Sequence, residues 1–401
     1  MKNVILLTFD ATRKDVFGIY GNNHGLTPFI DSLKNKSLIF TKCHSTGPYT
    51  QASFPGILTS SYYLDYGKPS GLAPQRTLIS EVLQKAGYET AAFHSNPYCS
   101  GHFGWNRGWD TFYDSMEDEV DPRIPYIRGG EINKRAFNWL SSTNKSEYSK
   151  PFFLWVHYMD LHEPYIPEKQ YIDLVDSSIA ISEDEMYALF ENTLLKRDVS
   201  DEDKVHLLKK LYDIHVREID SYVQQLFNDL EEKGLLKDTV VIITSDHGDE
   251  FNEHGGLSHD NKMYRELIEV PLIIYGYDET GVEDKVVSTV DIPPTILSLF
   301  GLEPEANFKG CTLLSMEAYT DEGVFGEGID QKSKRGGDID KDAYFYREND
   351  LKVIYQRQTD HWEMYDLAKD PAEKNNIAAT SSLFNDLKEK LLPMVRRWEK
   401  Q

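Results

Sequence analysis

Cysteine is scarce: Cys43, Cys99 and Cys311 are the only three in 401 residues. They are too few and too scattered for a disulfide framework or a C-x-x-C metal site. This fits a reducing compartment, so a cytoplasmic protein is expected. Basic residues are also short, with 43 Lys and Arg against 66 Asp and Glu and a net charge of −23. Nucleic-acid binding needs the opposite surplus, to neutralise phosphates, and is not expected. The carboxylate excess reads as a solubility feature. No apolar run approaches the ~20 residues of a membrane-spanning helix, and no signal-peptide pattern precedes the first apolar segment. No membrane span is therefore expected. What is present is globular apolar content, 40% hydrophobic and 12% aromatic residues, on a chain long enough to bury a large core.

That content is arranged in alternation. Strand-like runs cover 3–9, 88–94, 152–157, 238–244 and 270–275, and helical patterns cover 77–86, 131–142, 184–197, 202–233 and 292–300. Alternating strands and helices predict an α/β fold with a mostly parallel central sheet and helices on both faces. Residues 1–310 are read as this main domain. A polar, acidic stretch at about 168–200 reads as an insertion, either a surface excursion or a lid. Residues 316–342 are rich in Gly, Asp and Lys. Short strand-like runs follow at 343–347, 351–355 and 362–365, then a helix at 382–401. Residues 311–401 are read as a small antiparallel subdomain packed on the core.

Two strand ends carry chemistry. The apolar run Thr239-Val240-Val241-Ile242-Ile243 leads into Thr244-Ser245-Asp246-His247-Gly248-Asp249-Glu250. Open α/β sheets bind ligands at the carboxyl ends of their strands. An adjacent oxygen and nitrogen donor at such an end make half of a divalent-metal site. The first strand, Val4-Ile5-Leu6-Leu7-Thr8-Phe9, likewise ends on Asp10.

Other segments extend this pattern. Arg13 and Asp15 come first, then Leu26-Thr27-Pro28-Phe29-Ile30-Asp31-Ser32-Leu33 and the stretch from Gly47-Pro48-Tyr49-Thr50 to Leu58-Thr59-Ser60. Val290-Asp291-Ile292-Pro293-Pro294-Thr295 and Glu363-Met364-Tyr365-Asp366-Leu367 follow. Each is weak alone. Their shared order along nearly the whole chain resembles the sulfatase family of the alkaline phosphatase superfamily. The resemblance implies an alkaline-phosphatase-like fold and a metal-dependent hydrolase of ester bonds. It places the nucleophile in the 47–60 stretch, where sulfatases carry C/S-x-P-S/A-R and oxidise the Cys or Ser to formylglycine. Here that position is Thr50, followed by Ala52, Ser53 and Phe54 at the Pro, Ser and Arg positions. Threonine cannot give formylglycine, because its methyl group would leave a ketone, so no formylglycine is expected. Thr50 does match the nucleophile of relatives that handle phosphorus. An alcohol attacks at neutral pH only when a metal or base activates it. The structural reading of Thr50 is a helix N-cap, and Ser53 is the rival hydroxyl.

The resemblance also assigns partners. Asp10, Thr50, Asp246 and His247 are the expected metal ligands. Ala11 stands where classical sulfatases have a second aspartate, and His247 stands where they have Asn. Those changes shift the expected ion from calcium toward manganese or zinc, with calcium and magnesium as alternatives. His162 lies in the stretch Phe152 to Tyr165, and His259 lies twelve residues after His247. Both are expected to be catalytic alongside Thr50, whereas His157 and Asn96 are expected to bind substrate. His254 is read as structural. The resulting expectation is a hydrolase of a phosphate ester, phosphodiester or phosphonate ester, working through a covalent Thr50 intermediate. Its substrate is expected to be an anionic ester of a small molecule, glycan or lipid headgroup. Sulfuric ester hydrolysis, phospho-group transfer and a catalytically silent binding protein are the alternatives. No oligomeric state is assigned.

Overall fold

The computed structural model describes residues 2–67, 71–142, 150–314, 323–329 and 342–397. Its first ten strands are β1 (Asn3–Phe9), β2 (Ser37–His44), β3 (Glu89–His94), β4 (Thr111–Asp114), β5 (Phe152–Tyr158), β6 (Thr239–Ser245), β7 (Glu250–Phe251), β8 (Leu257–Ser258), β9 (Leu272–Tyr275) and β10 (Gly281–Ser288). Eight of them form one sheet in the order β10-β2-β9-β6-β1-β5-β3-β4, while β7 and β8 pair separately. Neighbours in the large sheet run parallel except at β9, which is antiparallel to both β2 and β6.

The central strands are buried on both faces, which is why they read as continuous apolar runs. Alternate residues feed two cores. Ile5, Leu7, Leu154, Val156, Val241 and Ile243 face one core, with residues of the helices Gly129–Ser142 and Glu202–Glu232. Val4, Leu6, Phe153, Trp155, Val240 and Ile242 face the other, with the helices Thr50–Thr59, Ile79–Lys85 and Ile292–Leu299. Each such buried aliphatic contributes about 1.5–3 kcal/mol, so β1, β5 and β6 form a stiff floor.

The polar stretch near 168–200 is tied to that floor. It forms the helices Lys169–Val175 and Glu183–Leu189 and a π-helical turn Phe190–Leu194, not one helix over 184–197. Ile172, Met186, Leu189 and Leu194 are buried in the first core.

A second sheet, fully antiparallel, runs β11 (Val324–Gly328), β12 (Ala343–Glu348), β13 (Leu351–Gln356) and β14 (His361–Asp366). Together with the helix Phe384–Val395 it packs on the main domain, with Phe325, Tyr344, Met364 and Leu391 in one cluster with Ala52, Tyr63 and Leu64. The last four residues of the expected 382–401 helix lie outside the described residues. Strand β11 was not expected from sequence. It carries two glycines and the buried Glu327, whose carboxylate accepts from Arg397 Nη2 at 2.7 Å and from the Leu64 N–H at 2.8 Å.

Candidate active site

Parallel pairing sets Phe9 beside Ser245 on one side and Tyr158 on the other. The residues that follow, Asp10 and Asp246, therefore leave the sheet side by side. The turn after them is tight. At Gly248 a Cβ would lie 2.1 Å from the Glu266 carbonyl oxygen, so no larger residue fits. Asp10, Asn96, His157, Asp246 and His247 are each at most 1% exposed, and Thr50 is 5% exposed.

Thr50 is the first residue of its helix, preceded by the extended Tyr49. Its hydroxyl donates to Asp246 Oδ2 at 3.2 Å and accepts from Asn96 Nδ2 at 3.3 Å. The same Asn96 nitrogen donates to Asp10 Oδ2 at 2.7 Å, while Asn96 Oδ1 accepts from the Tyr98 N–H at 2.9 Å. That last bond fixes which way the amide points. The N-cap reading of Thr50 is thus corrected: Tyr49 occupies the cap, and the hydroxyl serves Asp246. Asn96 spends its donor nitrogen on Asp10 and Thr50, so it orients the Thr50 hydroxyl.

Asp10 Oδ1 and His247 Nε2 are buried and have no hydrogen-bond partner. They lie 3.9 Å apart, and His247 Nε2 is 3.4 Å from Asp246 Oδ2. His247 Nδ1 donates to the Gly248 carbonyl at 3.0 Å, which leaves the Nε2 lone pair facing the carboxylates. Burial and the charge of His259 push the imidazole down to about 4, so it is neutral. Burial and the facing Asp10 raise the Asp246 carboxyl well above its ordinary value. Burial works in the same direction on Asp10, but the facing His157 and nearby histidine charge outweigh it and hold that carboxyl low. Two facing carboxylate oxygens and one neutral imidazole nitrogen, with Asp10 Oδ1 and His247 Nε2 lacking any other partner, fit a divalent cation.

His157 is fully buried behind this cage. Its Nδ1 lies 2.9 Å from the Thr8 hydroxyl and 3.2 Å from the Thr8 carbonyl, and that hydroxyl accepts from Trp155 Nε1 at 2.9 Å. Its Nε2 faces Asp10 Oδ2 at 3.3 Å. That nitrogen has no hydrogen-bond partner, and from behind the cage it faces Asp10.

His162 and His259 lie elsewhere. Their ring centroids are 5.2 Å apart, and His259 is 4.6 Å from His247. His162 Nδ1 donates to the Glu163 carbonyl at 2.8 Å. His259 Nδ1 donates to Asp249 Oδ1 at 2.9 Å, and Asp249 Oδ2 accepts from the Tyr165 hydroxyl at 2.5 Å. In both rings these bonds use Nδ1 and leave Nε2 out. Burial disfavours a charge on His259, but the Asp249 bond and charge prevail and raise its pKa. Asp249 was missed in the sequence, where it is one carboxylate among several. Its place three residues after Asp246 in the same loop was the available signal.

His254 is structural, as expected. Its Nδ1 bonds Glu266 Oε1 at 2.5 Å, its Nε2 bonds the Glu373 carbonyl at 3.0 Å, and its ring stacks on Tyr264. The neighbouring Glu250 is neutralised by Lys262 Nζ at 2.7 Å, so this second acidic cluster has a lysine where an ion would sit.

A family model described as Sulfatase matches residues 2–302. The chain belongs to the sulfatase family. A second model, described as N-sulphoglucosamine sulphohydrolase, C-terminal, matches residues 252–400 of this sulfatase-family protein. Relatives include an N-acetylglucosamine-6-O-sulfatase of Bacteroides thetaiotaomicron, 22% identical over 100% of this chain and 86% of that protein. Arylsulfatase K of Bos taurus is 25% identical over 96% and 81%. Among solved structures, phosphonate monoester hydrolase of Agrobacterium radiobacter superposes with a TM-score of 0.77 at 19% identity, covering 99% and 96%. A structure in complex with its substrate D-glucosamine-2-N,6-O-disulfate gives 0.79 at 19% identity, covering 100% and 98%. These likenesses make the sulfatase-family protein a hydrolase of ester bonds on an alkaline-phosphatase-like fold.

The segment expected to carry the nucleophile has its other side chains turned to partners within the fold. Ser53, the rival hydroxyl, donates to the Thr50 carbonyl at 3.1 Å and is held within its own helix. Phe54, at the arginine position, is fully buried with its ring edge-on to His157 and Trp155. Ala11 sits at φ 50° and offers Asp246 Oδ1 only its N–H, at 3.1 Å.

Proposed function

We propose that this sulfatase-family protein hydrolyses a phosphate ester, phosphodiester or phosphonate ester through a covalent phospho-Thr50 intermediate. The observation that carries the reading is Thr50 itself: an alcohol that cannot become formylglycine, hydrogen-bonded to Asp246 and Asn96 within a cation-binding cage. Asp10, Asp246, His247 and Thr50 would hold the metal, with manganese or zinc favoured. When bound, the ion supplies charge neutralisation for the transferring group and favours the alkoxide.

The chain's own groups account for the proton traffic. Thr50 Oγ attacks phosphorus while its proton passes to Asp246 Oδ2. The bond to the alcohol oxygen breaks on the far side, and the leaving alkoxide takes a proton from Nε2 of His259 or His162. Water then attacks the phosphothreonine, giving a proton back to that nitrogen, and the P–Oγ bond breaks as Asp246 returns its proton to Oγ, which restores Thr50. A sulfated threonine lacks the hemiacetal hydroxyl that expels sulfate from formylglycine, so turnover of sulfate is harder. The names of the relatives favour a second reading, sulfuric ester hydrolysis. The substrate is an anionic ester of a small molecule, glycan or lipid headgroup. Among the described residues no helix is long and apolar enough to cross a membrane.

The test is a panel of p-nitrophenyl phosphate, phosphodiester, phosphonate and sulfate, each with Mn, Zn, Ca and Mg. Phosphorus esters are expected to exceed the sulfate in kcat/KM by at least roughly tenfold, ~1.4 kcal/mol of barrier. A clear preference for the sulfate overturns the phosphorus reading in favour of the second.

A further inference from the structure

Arg197 closes the insertion. It follows the π-helical turn with a left-handed backbone, φ 55°, held by the Arg197 N–H to the Leu194 carbonyl at 3.0 Å and the Asp198 N–H to the Thr193 carbonyl at 2.9 Å. Its Nη2 donates to the backbone carbonyl of His259 at 3.1 Å. Its Nη1 is buried and has no hydrogen-bond partner. Among the described residues Arg197 forms no ion pair, although the chain carries a net charge of −23. A guanidinium is a planar fork that matches carboxylate, sulfate and phosphate oxygens, and a buried N–H without an acceptor is costly. One prong is anchored on the residue expected to protonate the leaving group, and the other lies beside it without an acceptor.

We propose that Arg197 is a second anion-binding site, on the leaving-group side, and that the natural substrate is an ester whose alcohol arm carries a further oxyanion. In-line displacement puts that arm opposite Thr50, toward the histidines, and Arg197 is fixed to the backbone of one of them. The insertion is then a specificity element. This inference rests on the proposed placing of the reacting ester between Thr50 and the two histidines.

The test uses matched twins: 3-carboxyphenyl, 4-carboxyphenyl and 3-(carboxymethyl)phenyl phosphates, each beside its uncharged carboxamide. All are run with the metal-loaded enzyme, and the same twins are run as sulfates. For at least one acid the wild type is expected to show about tenfold higher kcat/KM than its amide, seated in KM. Arg197→Ala should bring that ratio near one and change the amides by less than about threefold, while Arg197→Lys keeps part of the preference. Arg197→Gln keeps one amide donor for the His259 carbonyl and removes the charge and the second prong, so it should behave as Arg197→Ala even if the latter folds poorly. Absence of any acid preference in the wild type, or equal loss on both members of every pair, overturns the proposal. Faster turnover of the sulfate series would overturn the phosphorus reading and leave the acid-to-amide ratio standing.

Discussion

The site has two halves built on different principles. Asp10, Thr50, Asn96, Asp246 and His247 are sealed, at most 5% exposed, and stand on strand ends or a helix start over a floor buried on both faces. His162, His259 and Arg197 are partly exposed and come from connecting segments and the insertion. The sealed half is built for charge: each group is fixed by another polar group, and two are left for a cation. The open half stands on connections, which can vary without disturbing the sheet. The cation cage and the histidine end can therefore be damaged separately.

Removing the cation site is the harshest way to test the separation. Asp246→Asn combined with His247→Ala should abolish both bound metal, read by elemental analysis, and activity. Full metal occupancy in that variant would place the ion elsewhere. Thr50→Ala comes next, with metal and fold retained but kcat lowered on the order of 10³-fold or more. Thr50→Ser should keep part of the activity, and Ser53→Ala should matter far less because its hydroxyl is turned into the helix. Acid quench and intact mass should show a phosphate-sized adduct on residues 49–54 of the wild type and none in Thr50→Ala.

The open half should yield smaller effects. His259→Ala is expected to cost on the order of 10²-fold in kcat/KM, most for substrates with poor leaving groups, as loss of a general acid does. Asp249→Asn keeps an acceptor for Nδ1 but loses the charge, so roughly tenfold is expected. Equal losses for activated and unactivated leaving groups would remove His259 from protonation and leave it a binding role.

The smallest effect lies outside both halves. Burial disfavours a charge on His254, but Glu266 outweighs it and raises the His254 pKa above its ordinary 6.5, while His254 lowers that of Glu266. The histidine's contribution to stability is complete below about 6.5 and is lost as pH rises through its raised value. The glutamate's contribution is complete above its ordinary 4.5 and is lost on acidification. Thermal melts of His254→Gln should therefore fall furthest below wild type near about pH 5.5, with the gap narrowing by about pH 8.5. A constant gap would mean that the pair does not titrate with folding.

How much of this was legible in the sequence follows from burial. β1, β5 and β6 were visible because strands covered on both faces are apolar at every position. β10, Gly281–Ser288, was not, because its first half is charged and exposed at the sheet edge. The reversed direction of β9 left no trace, since parallel and antiparallel buried strands share one composition. Asp10, Asp246 and His247 were readable because polar groups abruptly ended apolar runs. Asn96, Asp249 and Arg197 depend on which atoms meet across the fold: Asn96 was expected as a substrate contact, not as the partner of Asp10 and Thr50, and the other two were not found at all.

The Glu373 seam sets a timetable for the molecule. Glu373 receives Lys352 Nζ at 2.6 Å and the Arg265 N–H at 2.6 Å, and its carbonyl holds His254. His254 and Arg265 flank the segment that carries His259, yet their clasp is supplied more than a hundred residues later in the chain. During synthesis the sheet can settle as soon as β10 has emerged, because domains form in order from the amino end. The histidine loop gains its clasp only once Glu373 has followed. A nascent chain should thus complete its cation cage before its leaving-group machinery, and so pass the interval between β10 and Glu373 as a binder that does not yet cut.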